Sequence, residues 1–428
     1  MSSTKSSVNS RHRPISKDAN APGHPVYGVT LSPESIEDMA STGWPGSKIE
    51  SIKPLEAGKS FNNKIYFLKI RHPALGVQDS VLKVNGTLYD GDKVQNEVAC
   101  LRLLELYCPE VPAPRVMAWS EAGTQATFVS PNHAETKALG EGSAGNTAGW
   151  ILTSRLPGKP VSTADLDAAA ISSLAAQLAD IVASWRQRIP FQKHGGSMQI
   201  RSTVTDNEGI ALDRPCGPGI PDLVIRGILV EEMKLTDPIT RIHDYYRLKL
   251  DNKLQLLESV DILERNRHLL EPLRKLRDER LLELSFSDIF TQTGTPADTF
   301  VFTHYDLFPR NILVSGESPP RVTGIVDWEF SGFFAPMDEF LDDWLDAGDW
   351  PEAFYTTFLK ALEEKGVATP VGGVPGDGWH VAYWLERTIE SAAPWWLLPG
   401  SLSAEQNEKA LEKAESVVKE MLGNLGIV

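Results

Sequence analysis

Residues 300–332, FVFTHYDLFPRNILVSGESPPRVTGIVDWEFSG, constrain this chain more than any other stretch of it. They set His304 two residues before Asp306, Asn311 five residues after that aspartate, and Asp327 sixteen residues beyond Asn311. Between these polar side chains lie two short apolar runs, NILV and VTGIVDW, separated by the turn-forming SGESPP. Runs of that length, bounded by Gly, Ser and Pro, read as a loop, a strand, a tight hairpin and a second strand. Such a hairpin holds Asp306, Asn311 and Asp327 near one edge.

That trio suits phosphoryl transfer. An attacking hydroxyl must be aligned with a γ-phosphate, and a carboxylate can orient it and accept its proton. Mg²⁺ prefers oxygen ligands in octahedral geometry, a few from protein and the rest from phosphates and water. Asp306 fits the base, Asn311 and Asp327 offer a neutral and an anionic oxygen to a metal, and His304 fits a brace for the loop. Each residue alone could equally be a turn residue flanking a buried hairpin. The ordered set is more specific.

The segments HYDLFPRNILV and GIVDWEFSGF resemble the catalytic and metal-binding loops of the aminoglycoside-phosphotransferase and choline-kinase family. More distantly they resemble the H-R-D…N and D-F-G motifs of protein kinases. The resemblance covers about 50–200 and 290–345 well and the remaining helical region loosely. It implies a two-lobed protein-kinase-like α+β fold, with a small antiparallel-sheet lobe and a larger, mainly helical one. It also implies Mg²⁺ as cofactor and ATP as co-substrate. Tyr305 stands where protein kinases carry the Arg of H-R-D, Asp-Trp-Glu replaces D-F-G, and no A-P-E segment follows. These departures favour a constitutively folded metabolite kinase over a regulated protein kinase.

ATP phosphates need a lysine on a strand and an acid to orient it. Lys83 lies inside the strand-like run SVLKV, where an unpaired charge is costly. Glu97 follows fourteen residues on, within the helical pattern VQNEVACLRLLELY, so a Lys83–Glu97 ion pair is expected. Upstream, LEAGKSFNNKIYFL resembles the family's phosphate-covering loop, with Gly58 for backbone freedom and Ser60 and Asn63 as short polar groups. By the same resemblance ILTSRLPG is the hinge between lobes, and the backbone of Thr153, Ser154 and on to Leu156 would bind the adenine edge. HGGSM at 194–198 resembles a Gly-Ser element of the helical lobe, with no role assigned.

A chain of 428 residues exceeds one compact core, so two lobes are expected. Residues 1–45, rich in Ser, Pro and Asn, read as a disordered tail or lead-in. The first seventeen carry four Lys/Arg and no acid, but too few apolar side chains for an amphipathic transit helix. Residues 46–155 read as the nucleotide-binding lobe, with strands from Lys64 to Ile70 and Ser80 to Val84 and a surface insertion at about 120–149. Residues 156–428 form the larger lobe, carrying the catalytic loop, metal site and substrate-binding helices. There Ile171, Leu174, Leu178, Ile181 and Trp185 mark a helix with Ser162 or Thr163 as N-cap. Further helices are expected at about 238–283 and 403–423.

The net charge of −15 argues against a general nucleic-acid binder. No apolar run approaches the roughly 18 residues of a membrane span. Cys100, Cys108 and Cys216 are too few and too scattered for a disulfide framework or zinc site, which suits a reducing, cytoplasmic setting. The expected partners are ATP and a small hydroxyl-bearing substrate, without nucleic acid or membrane, and the chain is expected as monomer or homodimer.

Between Asp338 and Glu352 there are seven acids and no Lys or Arg, and Asp338, Asp342, Asp346 and Asp349 fit one helical face. Trp384, Glu386 and Trp395 follow. Carboxylates with aromatic rings suit an amine-bearing alcohol through charge pairing and cation–π contact. The same pattern reads equally as a solvated acidic face with core tryptophans, and the aromatics also suit a flat, natural-product-like substrate. The expected function is an ATP-dependent kinase acting on a metabolite hydroxyl, on an amino-alcohol, aminoglycoside-like or natural-product acceptor. The competing reading is a pseudokinase that binds nucleotide or a partner. Its expected mark, loss of Lys83, Asp306, Asn311 or Asp327, is not seen. A metal hydrolase lacks H-E-x-x-H or comparable spacing.

Overall fold

A computed structural model of the chain describes residues 18–87, 89, 91–130, 133–140, 149–200, 210–212, 223–229, 237–340, 350–371, 374, 376–397 and 402–427. Its first part is a seven-stranded antiparallel sheet of β1 (Lys48–Pro54), β2 (Asn63–His72), β3 (Gly76–Asn85), β4 (Val116–Ser120), β5 (Gln125–Ser130), β6 (His133–Ala138) and β7 (Trp150–Ser154). The strand order is β1-β2-β3-β7-β4-β5-β6. Side chains alternate between faces with period two. Tyr66, Leu68, Ile70, Leu82, Val84, Trp150 and Leu152 therefore share one apolar face. Lys83, flanked by Leu82 and Val84, belongs to the opposite face.

Helix α1 (Pro33–Gly43) covers the apolar face. Ser32 caps it by accepting the Ser35 N–H at 3.1 Å, and Pro33 supplies the preset first turn. Ile36 and Met39, with Val29 and Leu31 before them, join the sheet's core. The expected tail at 1–45 is thus corrected from residue 18 onward, because a capped amphipathic turn there completes the core. The expected surface insertion at 120–149 is likewise corrected over 120–130 and 133–140, while 131–132 and 141–148 lie outside the described residues. β5 and β6 extend the sheet, and Ala126 and Phe128 are buried, with Trp44 edge-on to Phe128 at 5.4 Å.

Helix α2 (Gly91–Tyr107) lies on the face that carries Lys83. The chain then leaves the sheet after Ser154 and enters β8 (Lys159–Pro160), which pairs with β13 (Ile312–Val314); β13 pairs in turn with β14 (Val322–Ile325). The hairpin expected from NILV and VTGIVDW is this β13–β14 pair, with Ile312 opposite Ile325. A second small sheet runs β10 (Ile210–Ala211), β11 (Leu223–Ile225), β9 (Gly196–Ile200), β15 (Gly332–Phe334), β12 (Val301–Thr303).

Around these sheets pack α3 (Ala168–Arg188), α4 (Ile242–Ser259), α5 (Leu270–Lys275), α6 (Ser287–Thr293), α7 (Glu352–Glu364), α8 (Gly378–Ala392) and α9 (Ala404–Asn424). Asp167 caps α3, accepting the Ala170 N–H at 2.8 Å. Ser162 and Thr163 instead belong to a short 3₁₀ turn, which corrects the expected cap. Among the described residues α3 is the one helix long and apolar enough to cross a bilayer, but Leu174, Leu178, Val182 and Trp185 bury one face in the protein core. α9 starts with a reciprocal Ser403–Gln406 capping box.

Candidate active site

The β3 lysine meets three carboxylates. Lys83 Nζ lies 2.9 Å from Glu97 on α2, 2.6 Å from Asp327 Oδ1 and 2.6 Å from Glu329 Oε2. Glu97 and Glu329 are closed off, with side chains 9 % and 1 % exposed, whereas Asp327 is 34 % exposed. A second lysine, Lys93 in the first turns of α2, stands 3.4 Å from Glu329 and donates to Asn63 Oδ1 at 2.8 Å. Burial works against ionising Lys83, but the three acids hold its ammonium well above the ordinary lysine value. Burial also opposes ionising Glu329, yet Lys83 and Lys93 together hold its carboxyl far below the usual range. Burial pushes Asp327 upward and Glu97 up to about 7, against the pull of Lys83.

Asp327 follows β14 in a left-handed backbone conformation (φ +70°), and Tyr305 before Asp306 does the same (φ +71°). Non-glycine residues held there cost on the order of 1–3 kcal/mol and cluster at functional sites. Asp306 is clasped from two sides. Asn311 Nδ2 donates to its Oδ2 and to its backbone carbonyl, each at 2.8 Å, and Arg310 donates to Oδ1 at 2.6 Å. The Arg310 guanidinium sits 4.2 Å from the Phe308 ring. Burial pushes the Asp306 carboxyl up to about 6, opposed by Arg310 and reinforced by nearby Asp327.

His304 is fully buried between the two loops. Its Nδ1 accepts the Asp306 N–H at 3.2 Å and its Nε2 donates to the Val326 carbonyl at 3.1 Å, which assigns the neutral tautomer. Burial holds this ring at about 3, so it stays neutral at ordinary pH. Trp328 packs edge-on to it at 4.4 Å, and the buried Glu339 receives its backbone N–H at 3.3 Å. The histidine thus ties the Asp306 loop to the strand end that carries Asp327.

The remaining expected residues divide. Gly58 has φ +81° and open space around a notional Cβ, and Ser60 is half-buried in the same turn. Asn63 is not in the turn but at the start of β2. Its amide is spent on Lys93 and on Glu329, to which it donates at 2.7 Å, so the structure places it as a support rather than a group open to phosphate. Thr153 is buried in β7 between β3 and β4. Ser154 exchanges hydrogen bonds with Arg115, and half-buried Leu156 lies against Gly324 in the crossing to β8.

The acidic–aromatic substrate set is corrected in part. Glu386 is buried on α8 and takes Lys249 Nζ on both oxygens, at 2.8 and 2.7 Å. It is an internal ion pair rather than a carboxylate offered to a cation. Asp338 is buried beside the same pair, its carboxyl pushed up to about 6 by burial against the pull of Lys249. Trp384 packs half-buried against the core. Asp342, and the Asp346 and Asp349 of the proposed face, lie outside the described residues, as does the side chain of Trp395.

Four residues escaped the sequence reading. Glu329 was in plain view inside Asp-Trp-Glu, and Arg310 beside Asn311. Lys93 and Asn96 had no signal beyond lying on α2. Asn96 donates to the carbonyls of Glu329 and Ser331 at 2.9 Å each and receives the Met198 N–H at 2.6 Å. This explains HGGSM: a Cβ on Gly195 would overlap the Phe300 ring and one on Gly196 the Arg226 carbonyl, so only glycines let β9 reach Asn96.

The donor set fits Mg²⁺. Because Asn311 Nδ2 faces Asp306, its Oδ1 is the atom left for a metal, and Asp327 is the acid that solvent reaches. Two ammoniums, Lys83 and Lys93, face three carboxylates, which leaves room for a cation. No group of three His, Cys, Asp or Glu side chains forms a metal cluster among the described residues. Phosphates and water would complete the shell, as is usual for Mg²⁺.

The sequence matches the phosphotransferase enzyme family over residues 51–372. The chain belongs to that family. This phosphotransferase shares its fold with the aminoglycoside phosphotransferase APH(2'')-Ib bound to ADP (TM-score 0.53, 14 % identity, 92 % of this chain and 99 % of that one). It is similar also to a fructosamine-3-kinase candidate from Thermobifida fusca (TM-score 0.50, 11 % identity, 91 % of this chain and 100 % of that one). No curated protein matches the phosphotransferase in sequence. The shared fold is the two-lobed α+β arrangement that the motifs imply, and the family makes this chain an enzyme of the kinase and phosphotransferase class.

Proposed function

We propose that this phosphotransferase moves the γ-phosphate of ATP directly onto a hydroxyl of a small molecule. The observation that carries the reading is the meeting of Lys83, Glu97 and Asp327 beside the Asp306–Asn311 clasp, from sequence positions up to 244 residues apart. Lys83, oriented by Glu97, holds the α- and β-phosphates, and the turn at Gly58–Ser60 covers them. The adenine edge meets backbone in the crossing after Ser154. Asn311 and Asp327 would hold Mg²⁺, which when bound would neutralise phosphate charge.

Asp306 orients the acceptor hydroxyl. Asn311 fixes one carboxylate oxygen, and the exposed Arg310 is the partner that yields the other to the acceptor. The hydroxyl proton passes to Asp306 as the oxygen–phosphorus bond forms and the bond to the β-phosphate oxygen breaks, without a phospho-enzyme. We infer further that Cys100 and Cys108, both free and buried, reflect a reducing cytoplasmic setting. Amino-alcohols and natural-product alcohols are the first acceptors to screen.

Two measurements test the reading. ATP should raise the thermal midpoint by mass action, more with Mg²⁺ than without, and Asp327→Ala should remove the metal-dependent part. Asp306→Asn should bind Mg·ATP as the parent does while losing about 10²–10⁴ in kcat, the usual share of a general base. Turnover surviving Asp306→Asn would reject Asp306 as the base. No midpoint rise with saturating ATP would favour the pseudokinase.

A further inference from the structure

Lys83 is held by more acid than nucleotide positioning requires, and the three carboxylates are not equivalent. An ammonium has three donors, and here each meets a different acid. Glu97 rides on α2 and Asp327 faces solvent. Glu329 is nearly inaccessible and is itself fixed: Asn63 donates to it at 2.7 Å, Asn62 at 3.3 Å, Lys93 stands at 3.4 Å, and Asn96 grips its backbone carbonyl at 2.9 Å. The Trp328 indole, completely buried, donates to Ile325 O at 2.9 Å and pins the turn between Asp327 and Glu329.

Asp327 Oδ1 cannot serve Lys83 and a metal equally well. On the phosphotransferase reading above, Asp327 would serve the metal, and its hold on the lysine would weaken. We propose that Glu329 is the positioning residue that keeps Lys83 in register when this happens, so that Asp327 is released to the metal without the lysine following it. Asn63, Lys93 and Asn96 are the frame that stops Glu329 from moving with Asp327. The release is an exchange of partners at one ammonium, in which no covalent bond changes. Deleting the Glu329 contact leaves Lys83 more dependent on Asp327, so the metal must compete with a stronger pair.

The test is a titration of Mg²⁺ into full-length protein saturated with a non-hydrolysable ATP analogue, read as the thermal midpoint. The proteins compared are the unaltered chain, Glu329→Gln and Glu329→Asp. Glu329→Gln removes the charge, whereas Glu329→Asp keeps it but withdraws it from Lys83 by one methylene. Both should raise the half-saturating Mg²⁺ concentration by about fivefold or more, the scale of a typical coupling between sites. Affinity for the analogue without metal should stay within about twofold, because Glu97 and Asp327 still hold Lys83 in that state. Glu329→Asp serves alone if Glu329→Gln does not fold, as judged by circular dichroism. An unchanged Mg²⁺ requirement in Glu329→Asp would overturn the inference, since charge without contact would then suffice. Failure of the unaltered chain to bind the analogue at all would overturn the phosphotransferase reading itself, and this inference with it.

Discussion

At the scale of single residues the site is organised by burial. Asp306, Asp327 and Glu97 are all pushed upward by it, while Glu329 alone is driven down, by two ammoniums. His304 shows how a buried polar side chain earns its place: both ring nitrogens are used, and each joins a different loop. His304→Phe would strand the Asp306 N–H and the Val326 carbonyl, each worth about 1–3 kcal/mol when buried and unpaired. That variant should lose stability and misplace Asp306 against Asp327, seen as a fall in kcat larger than any change in ATP affinity. In the unaltered protein the His304 ring should give NMR signals of the neutral form down to about pH 4, because burial keeps it from charging. A charged ring at pH 6 would contradict the tautomer assigned here. These roles explain how legible the site was. Residue type and spacing single out Lys83, Glu97, Asp306, Asn311 and Asp327, and the structure brings these five together. Glu386 was misread because its partner, Lys249, comes 137 residues earlier and no local pattern names it.

At the scale of elements, α4 and α8 are joined by that Lys249–Glu386 pair. Breaking a buried ion pair from one side costs roughly 3–5 kcal/mol, so Lys249→Met should be strongly destabilised. The sign of its pH dependence follows from the acid left behind. Burial already pushes Glu386 up to about 7, and without Lys249 it goes higher. A carboxyl raised in the folded state binds a proton that the unfolded chain has released. Its favourable contribution is full below the unfolded value and is lost as pH rises through the folded one. Urea midpoints of Lys249→Met should therefore fall from pH 5.5 to pH 8 more steeply than those of the parent. Equal slopes would show that Glu386 is not the group responsible. Glu386→Gln added to Lys249→Met should recover part of the loss. Helix α3 offers a smaller check: Asp167→Ala removes the cap, which lies four or five residues beyond the expected Thr163 or Ser162, and should cost about 1 kcal/mol.

At the scale of the whole molecule, the first sheet is completed from outside the expected lobe. Val29, Leu31, Ile36 and Met39 are buried against Tyr66, Leu82 and Trp150. Burying such side chains is worth roughly 1.5–3 kcal/mol each, so deletion of residues 1–45 should destabilise the sheet that carries Lys83. The expected result is a truncated protein with a lower thermal midpoint and no midpoint rise with Mg·ATP. A truncated protein as stable as the full chain would place α1 outside the working fold. The two parts of the molecule are tied chiefly through α2, whose Asn96 bonds to residues after β14 and to β9. Asn96→Ala leaves those buried groups unpaired and should weaken nucleotide binding without touching a ligand.

The sequence by itself determined the elements that depend on near neighbours. The alternation in β2 and β3 set which face is apolar and so turned Lys83 away from the core. NILV and VTGIVDW set the hairpin, and with it the placing of Asp306, Asn311 and Asp327 near one another. Tertiary structure alone decided which acids face solvent and which are spent inside. Asn63 meets Glu329 across 266 positions and Lys83 meets Asp327 across 244. Such partnerships form when separately folded elements pack. Period and spacing record only what a residue shares with the next few along the chain.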